Sequence, residues 1–143
     1  MSTTSPTLPE VSFRFLNFFV KESNIILNQQ GDPKIQVNFY PKGYIFKSLR
    51  QFHLEVALDI KEETNKFSIR IVAVAIFEFD ENADLEKYKT GFFVLNAPAI
   101  MFPYIRAYIS TLTALSGLFT VTLPTFNLTT MGEALKNNIQ DME

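Results

Sequence analysis

Residues 98–117 read PAIMFPYIRAYISTLTALSG and carry one charge, Arg106. The stretch sits inside a longer run, 90–132, in which Arg106 is still the single charged residue. Pro98 suits the first turn of a helix and Gly117 the position just past its end. At helical spacing Met101, Ile105, Tyr108, Leu112 and Leu115 share one face. Phe102, Ile109 and the hydroxyl residues Ser110, Thr111, Thr113 and Ser116 take the other. A surface helix of a monomer has a charged back. This one has none, which predicts cover on most sides, by lipid or by another subunit. Pro103, Arg106 and the hydroxyls argue against lipid, where a central Arg costs about 2.5–3.5 kcal/mol. The expectation is a subunit interface and no membrane insertion.

Upstream, the chain reads as strands. In 51–61, Phe52, Leu54, Val56, Leu58 and Ile60 alternate with a largely polar set, the pattern of a strand with one buried face. EETN at 62–65 predicts a hairpin turn into a partner strand, 66–80. Residues 11–20, VSFRFLNFFV, predict a further strand with Phe13, Phe15 and Phe19 on one side and Leu16, Phe18 and Val20 on the other, both sides covered. NQQGDP at 28–33 is a turn, and 34–40 a strand that Pro41-Lys42-Gly43 breaks. Residues 44–50 are then a connection rich in aromatics and bases. Asn82 is the expected cap of a helix holding Leu85, Tyr88 and Phe92. After Gly117 the chain is extended to Pro124, and a short helix closes it at about residues 131–140. The fold class is α+β: four antiparallel strands, a long helix and a short C-terminal helix. Residues 1–10 form a flexible arm and 11–143 one domain, a length that folds without staples.

Composition narrows the chemistry. There is no Cys and a single His, His53, so Cys/His metal clusters and a disulfide framework are excluded. Thirteen basic and fifteen acidic residues lack the basic excess that nucleic-acid binding displays. The first ten residues have neither base nor apolar run, so no secretory signal is expected and the chain is assigned to the cytoplasm. No glycine-rich phosphate loop occurs, and Glu62-Glu63 are neighbours in a turn, not a convergent acid pair. His53 is expected to face solvent. No enzyme and no cofactor are expected. Fifteen Phe and five Tyr point instead to binding polypeptides or apolar ligands.

Pro98-Ala99-Ile100-Met101-Phe102-Pro103-Tyr104-Ile105-Arg106 resembles the P-x-I-L-F-P-Y-x-R signature of the SecB family of protein-export chaperones. Leu123-Pro124-Thr125-Phe126-Asn127-Leu128, followed by Ala134-Leu135, resembles that family's P-x-L-N-L and closing A-L. The resemblance implies an ATP-independent holdase that keeps unfolded precursor polypeptides competent for export and hands them to the SecA motor. It implies a dimer of dimers, a homotetramer, with Met101, Phe102, Tyr104, Ile105, Tyr108, Ile109 and Leu112 at interfaces. It places client-binding grooves between Tyr40, Tyr44, Phe46 and Leu49 on one side and Leu128, Met131 and Leu135 on the other. Glu22, Glu62 and Glu63 match acidic, motor-binding positions. The chain departs from the family in its charge of only −2, in the basic connection of Lys42, Lys47 and Arg50, and in its short acidic end, Asp141-Met142-Glu143. Two alternatives stay open: a dedicated chaperone of a toxin–antitoxin module, and a binder of small apolar ligands.

Overall fold

The alternation at 51–61 becomes β3 (Gln51–Glu62), the centre of a five-stranded sheet. A computed structural model describes residues 13–28, 34–117 and 119–142; the expected arm and most of the turn at 28–33 lie outside them. β1 (Phe13–Leu27), β2 (Ile35–Phe46), β3 and β4 (Phe67–Phe79) are ordered β1-β4-β3-β2, each pairing antiparallel. The fifth strand, β5 (Ile139–Asp141), adds parallel to β2 at Gly43–Ile45.

β1 is longer than the expected 11–20, and its alternation is reset twice. Register shifts fall between Phe15 and Asn17 and between Val20 and Glu22. The extra residue at each bulge turns the strand, so Phe13, Phe15, Phe18 and Val20 all face the helices. Leu16 and Phe19 are left exposed on the outer face instead of covered.

β2 does not stop at Pro41-Lys42-Gly43. The Gly43 N–H donates outward to the Asn138 carbonyl at 2.9 Å, and Glu63 N–H donates to the Lys34 carbonyl at 3.3 Å. Odd-numbered residues of β2 therefore point their backbone groups away from β3, and even-numbered ones toward it. Pro41 sits at an odd position, where its missing N–H costs β2–β3 pairing nothing. Gly43 is required because a Cβ there would lie 2.8 Å from the Phe52 ring. Only Lys47–Arg50 form the turn, with Arg50 at φ 54°.

The helical layer opens with α1 (Leu85–Tyr88), capped by Asp84 rather than Asn82: the Asp84 carboxylate accepts from the Lys87 N–H at 3.4 Å. A π-helical segment, Phe92–Asn96, leads without a break into α2 (Ala97–Leu115). Gly117, at φ 80°, ends it as expected. Its buried face is Met101, Phe102, Ile105 and Ile109, with Ala97, Pro98 and Thr113. The run 85–115 is long and apolar enough to cross a membrane by length and composition, but here that face packs on the sheet. The closing helix α3 (Leu128–Lys136) starts earlier than expected, because the Asn127 Oδ1 caps it by accepting from the Thr129 N–H at 3.0 Å.

The phenylalanines explain themselves in the core. Phe52 stacks on Phe93 at 4.0 Å between ring centroids, and Phe13 on Phe77 at 4.8 Å. Burying each such side chain is worth about 1.5–3 kcal/mol. Arg106 lays its guanidinium 4.8 Å from the Phe102 ring centroid, a cation–π contact. Its Nε is buried with no hydrogen-bond partner among the described residues.

Candidate functional site: an apolar cleft between the sheet edge and the last helix

Where β2 runs past α3, a cleft of about 320 Å³ opens. Val37, Phe39 and Pro41 form its sheet wall, and Met131 and Ala134 its helix wall. Phe126 stands between them, edge-on to Phe39 at 4.7 Å and to Phe102 at 5.5 Å. The rim is polar: Asn38, Asn127 and Thr130 are exposed, as is Ala134, so the cleft is open to solvent and not an enclosed cavity. α3 is held in place by Gly132, which lies against the Val94 carbonyl of the π-helical segment, where no Cβ would fit. Such a surface offers apolar area with little geometric demand and no titrating group. Among the described residues no cluster of His, Cys, Asp or Glu is placed to hold a metal ion.

The cleft brings together some of the residues expected to line a groove and leaves the others elsewhere. Leu128 is half-buried, and Met131, though buried, lines the cleft. Leu135, 0% exposed, is core. Tyr40, Tyr44 and Phe46 are even-numbered residues of a strand that continues to Phe46, so they face away from the cleft. Tyr40 is 51% exposed there. Phe46 lies 4.5 Å from the ring of His53, which is half-buried rather than solvent-facing. Burial lowers the His53 pKa below its usual value. Leu49 is exposed in the turn. Val37, Phe39, Pro41, Phe126 and Ala134 were missed. The alternation of Ile35, Val37 and Phe39 was visible, but a strand broken at Pro41 hid which face continued.

α2 divides the expected interface residues. Met101, Phe102, Ile105 and Ile109 belong to the chain's own core, because they are the helix positions that meet the sheet. Tyr104 is exposed, and Tyr108 and Leu112 are half-buried. Tyr108 donates its hydroxyl to Ser23 Oγ at 2.9 Å. Ile100 and Leu115 complete an exposed face without a charge, Leu115 being 83% exposed.

The three acids differ. Glu22 is exposed on the outer sheet face and receives Arg70 at 2.9 Å, as does Asp59 at 2.9 Å. Lys21 pairs there with Glu55. Glu63 is exposed. Glu62 is only 1% exposed and builds the β3–β4 turn, accepting from the Thr64 hydroxyl at 2.7 Å and the Lys66 N–H at 2.9 Å. Burial pushes its carboxyl up, but these bonds and the nearby Lys66 charge pull harder, and the pKa is lowered. A group so engaged is not displayed to a partner.

Four antiparallel strands extended by a short parallel fifth, with a long helix across one face and an open apolar cleft beside the last helix, make a SecB-like chaperone fold. The chain belongs to the SecB family: the family model described as preprotein translocase subunit SecB matches residues 8–137. It is similar to the uncharacterized protein MJ0357 of Methanocaldococcus jannaschii, 31% identical over 143 residues, covering 86% of this chain and 84% of that one. Its fold is similar to that of the Mycobacterium tuberculosis SecB-like chaperone Rv1957, solved in complex with a peptide from the Rv1956 HigA1 antitoxin. That likeness has a TM-score of 0.70 at 14% identity, covering 81% of this chain and 88% of the other.

Proposed function

We propose that this protein is an ATP-independent holdase of the cytoplasm that binds unfolded polypeptides in the cleft between β2 and α3. The observation that carries the reading is the cleft itself: an open apolar trough walled by Val37, Phe39, Phe126 and Met131, on a fold of the SecB family. Clients are held by burying apolar side chains, without catalysis or cofactor. Contact extends to the exposed Tyr40 and Leu49 at the sheet edge and turn. The assembly is a dimer of dimers that covers the uncharged face of α2 through Tyr104, Tyr108 and Leu112. The family's description favours unfolded precursor polypeptides bound for export, with Glu22 and Glu63 as the acids available to the SecA motor.

A second reading is a dedicated chaperone of an antitoxin. The likeness to a SecB-like chaperone solved with an antitoxin peptide favours it. Light scattering of a slowly refolding protein, with and without this chain and without nucleotide, tests holding. Unchanged aggregation at several-fold excess of assembled protein would defeat the general holdase. Co-purification from the native cell then separates the two: many precursors support export, one small partner the dedicated role.

A further inference from the structure

β2 is covered along its outer edge for only part of its length. β5 pairs with it over Gly43–Ile45, where Gly43 N–H donates to the Asn138 carbonyl and Met142 N–H to the Ile45 carbonyl, both at 2.9 Å. These bonds fix the direction of the strand's backbone groups. Upstream, the outward N–H and C=O groups of Ile35, Val37 and Phe39 meet no backbone partner among the described residues. Pro41, which offers a carbonyl but no N–H, separates the free stretch from the covered one. An unpaired strand edge is a template for another strand.

The residues that own these free backbone groups also own the cleft. Val37 and Phe39 send their side chains into it, facing Phe126, Met131 and Ala134. We infer that the occupant is an extended apolar segment of non-native polypeptide that adds to the sheet as a strand along residues 35–41. It bonds to the backbone of Val37 and Phe39 and places every second side chain in the cleft. The intervening side chains pass beside Tyr40, which stands on the opposite sheet face; strand addition thus brings both faces of β2 into contact with one client. The inference rests on the client-holding reading of the same cleft.

β5 argues for this occupant. It is itself an extended segment added to this edge, and the free stretch continues directly from it. The chemistry also selects for the unfolded state. A folded protein has already paired its backbone groups, whereas an unfolded segment has all of them to give. Main-chain bonds supply affinity without regard to sequence, and the cleft asks only for an apolar residue at alternate positions. Proline at a position facing β2 would break the ladder.

The test uses three synthetic peptides of about ten residues, the upper length of an ordinary strand. All share one sequence, Leu and Val alternating with Ser and Thr. One is unmodified, one N-methylated on its odd-numbered amides, and one on its even-numbered amides. Only one set of amides faces β2 in an added strand, so binding to the assembled protein falls at least about tenfold for one methylated peptide and changes little for the other. The Val37 and Phe39 amides become protected from hydrogen exchange when the unmodified peptide binds. Equal effects of the two methylations, both harmless or both damaging, overturn strand addition while leaving cleft binding intact. Protection of those amides before any peptide is added assigns the edge to a second copy and also overturns it. Failure of the unmodified peptide to bind removes the client-holding reading with it.

Discussion

The Thr113 hydroxyl accepts the Val121 N–H at 2.9 Å and donates to the Ile109 carbonyl at 2.8 Å. One buried side chain in α2 thereby anchors the extended segment that returns from Gly117. Ser110 adds a bond to the Val121 carbonyl at 3.3 Å. The hydroxyls that left the helix without a charged back are in part the anchor for this segment. Thr113→Val keeps the shape and strands the Val121 N–H, so stability should fall by about 1–3 kcal/mol. Urea unfolding midpoints at constant m-value measure it; an unchanged midpoint would show that the bond contributes nothing net.

Gly132→Ala should cost about 1–3 kcal/mol, the usual range for overpacking. The added methyl meets the Val94 carbonyl, a backbone atom that cannot rotate away. Relief requires α3 to lift, which widens the cleft. Thermal melts should show the loss, and holding of a refolding client should change in the same variant.

Phe126→Ser should weaken client holding more than Phe46→Ser. Phe126 packs between the two cleft walls, while Phe46 lies on the far face of β2 against His53. Light scattering of an aggregating client, run at matched assembly state, compares them. Equal loss in both variants would move the client to the outer face.

Acid should loosen the β3–β4 turn. The Glu62 pKa is lowered in the folded chain, so its contribution is complete above the unfolded carboxylate pKa. The contribution is lost as pH falls through the lowered folded value. Glu62→Gln should therefore be less stable than the parent at neutral pH, with the gap closing in acid. Melting temperatures of the pair across an acid titration give the answer; a gap independent of pH would show that charge plays no part.

Assembly should depend on the outer face of α2. Light scattering on a sizing column should return two or four times the 16.4 kDa chain mass. Tyr104→Asp places a charge on an exposed apolar helix position and should shift that mass downward. A monomer in the unaltered protein at micromolar concentration removes the interface.

The elements that rest on local periodicity were legible in the residues alone. β3 carries a largely polar set on one side and a buried apolar set on the other, so period two survives in the chain; β4 and the Gly117 stop are similarly local. The family signature in 98–106 and 123–128 pointed to a groove between the aromatic connection and the last helix; the cleft in the structure lies between β2 and α3. Which side of an element faces which neighbour is set by the folded chain. The bulges in β1 turn Phe18 inward and Phe19 outward, and nothing in VSFRFLNFFV marks where the extra residues fall. Pro41 looked like a terminator because proline lacks a ladder N–H, but that loss is harmful only where the N–H is needed. That depends on Pro41 lying at an outward position of β2 in the stretch that β5 leaves unpaired, a fact of sheet order and not of sequence. Continuing β2 through it reversed the assignment of Tyr40, Tyr44 and Phe46 and gave the cleft to Val37 and Phe39. In α2 Arg106 is the single charge and no face carries a charged stripe, so the pattern could not reveal that Met101, Phe102, Ile105 and Ile109 meet the sheet. Glu62 read as a surface acid because its partners, Thr64 and the Lys66 N–H, assemble around it only when the turn closes.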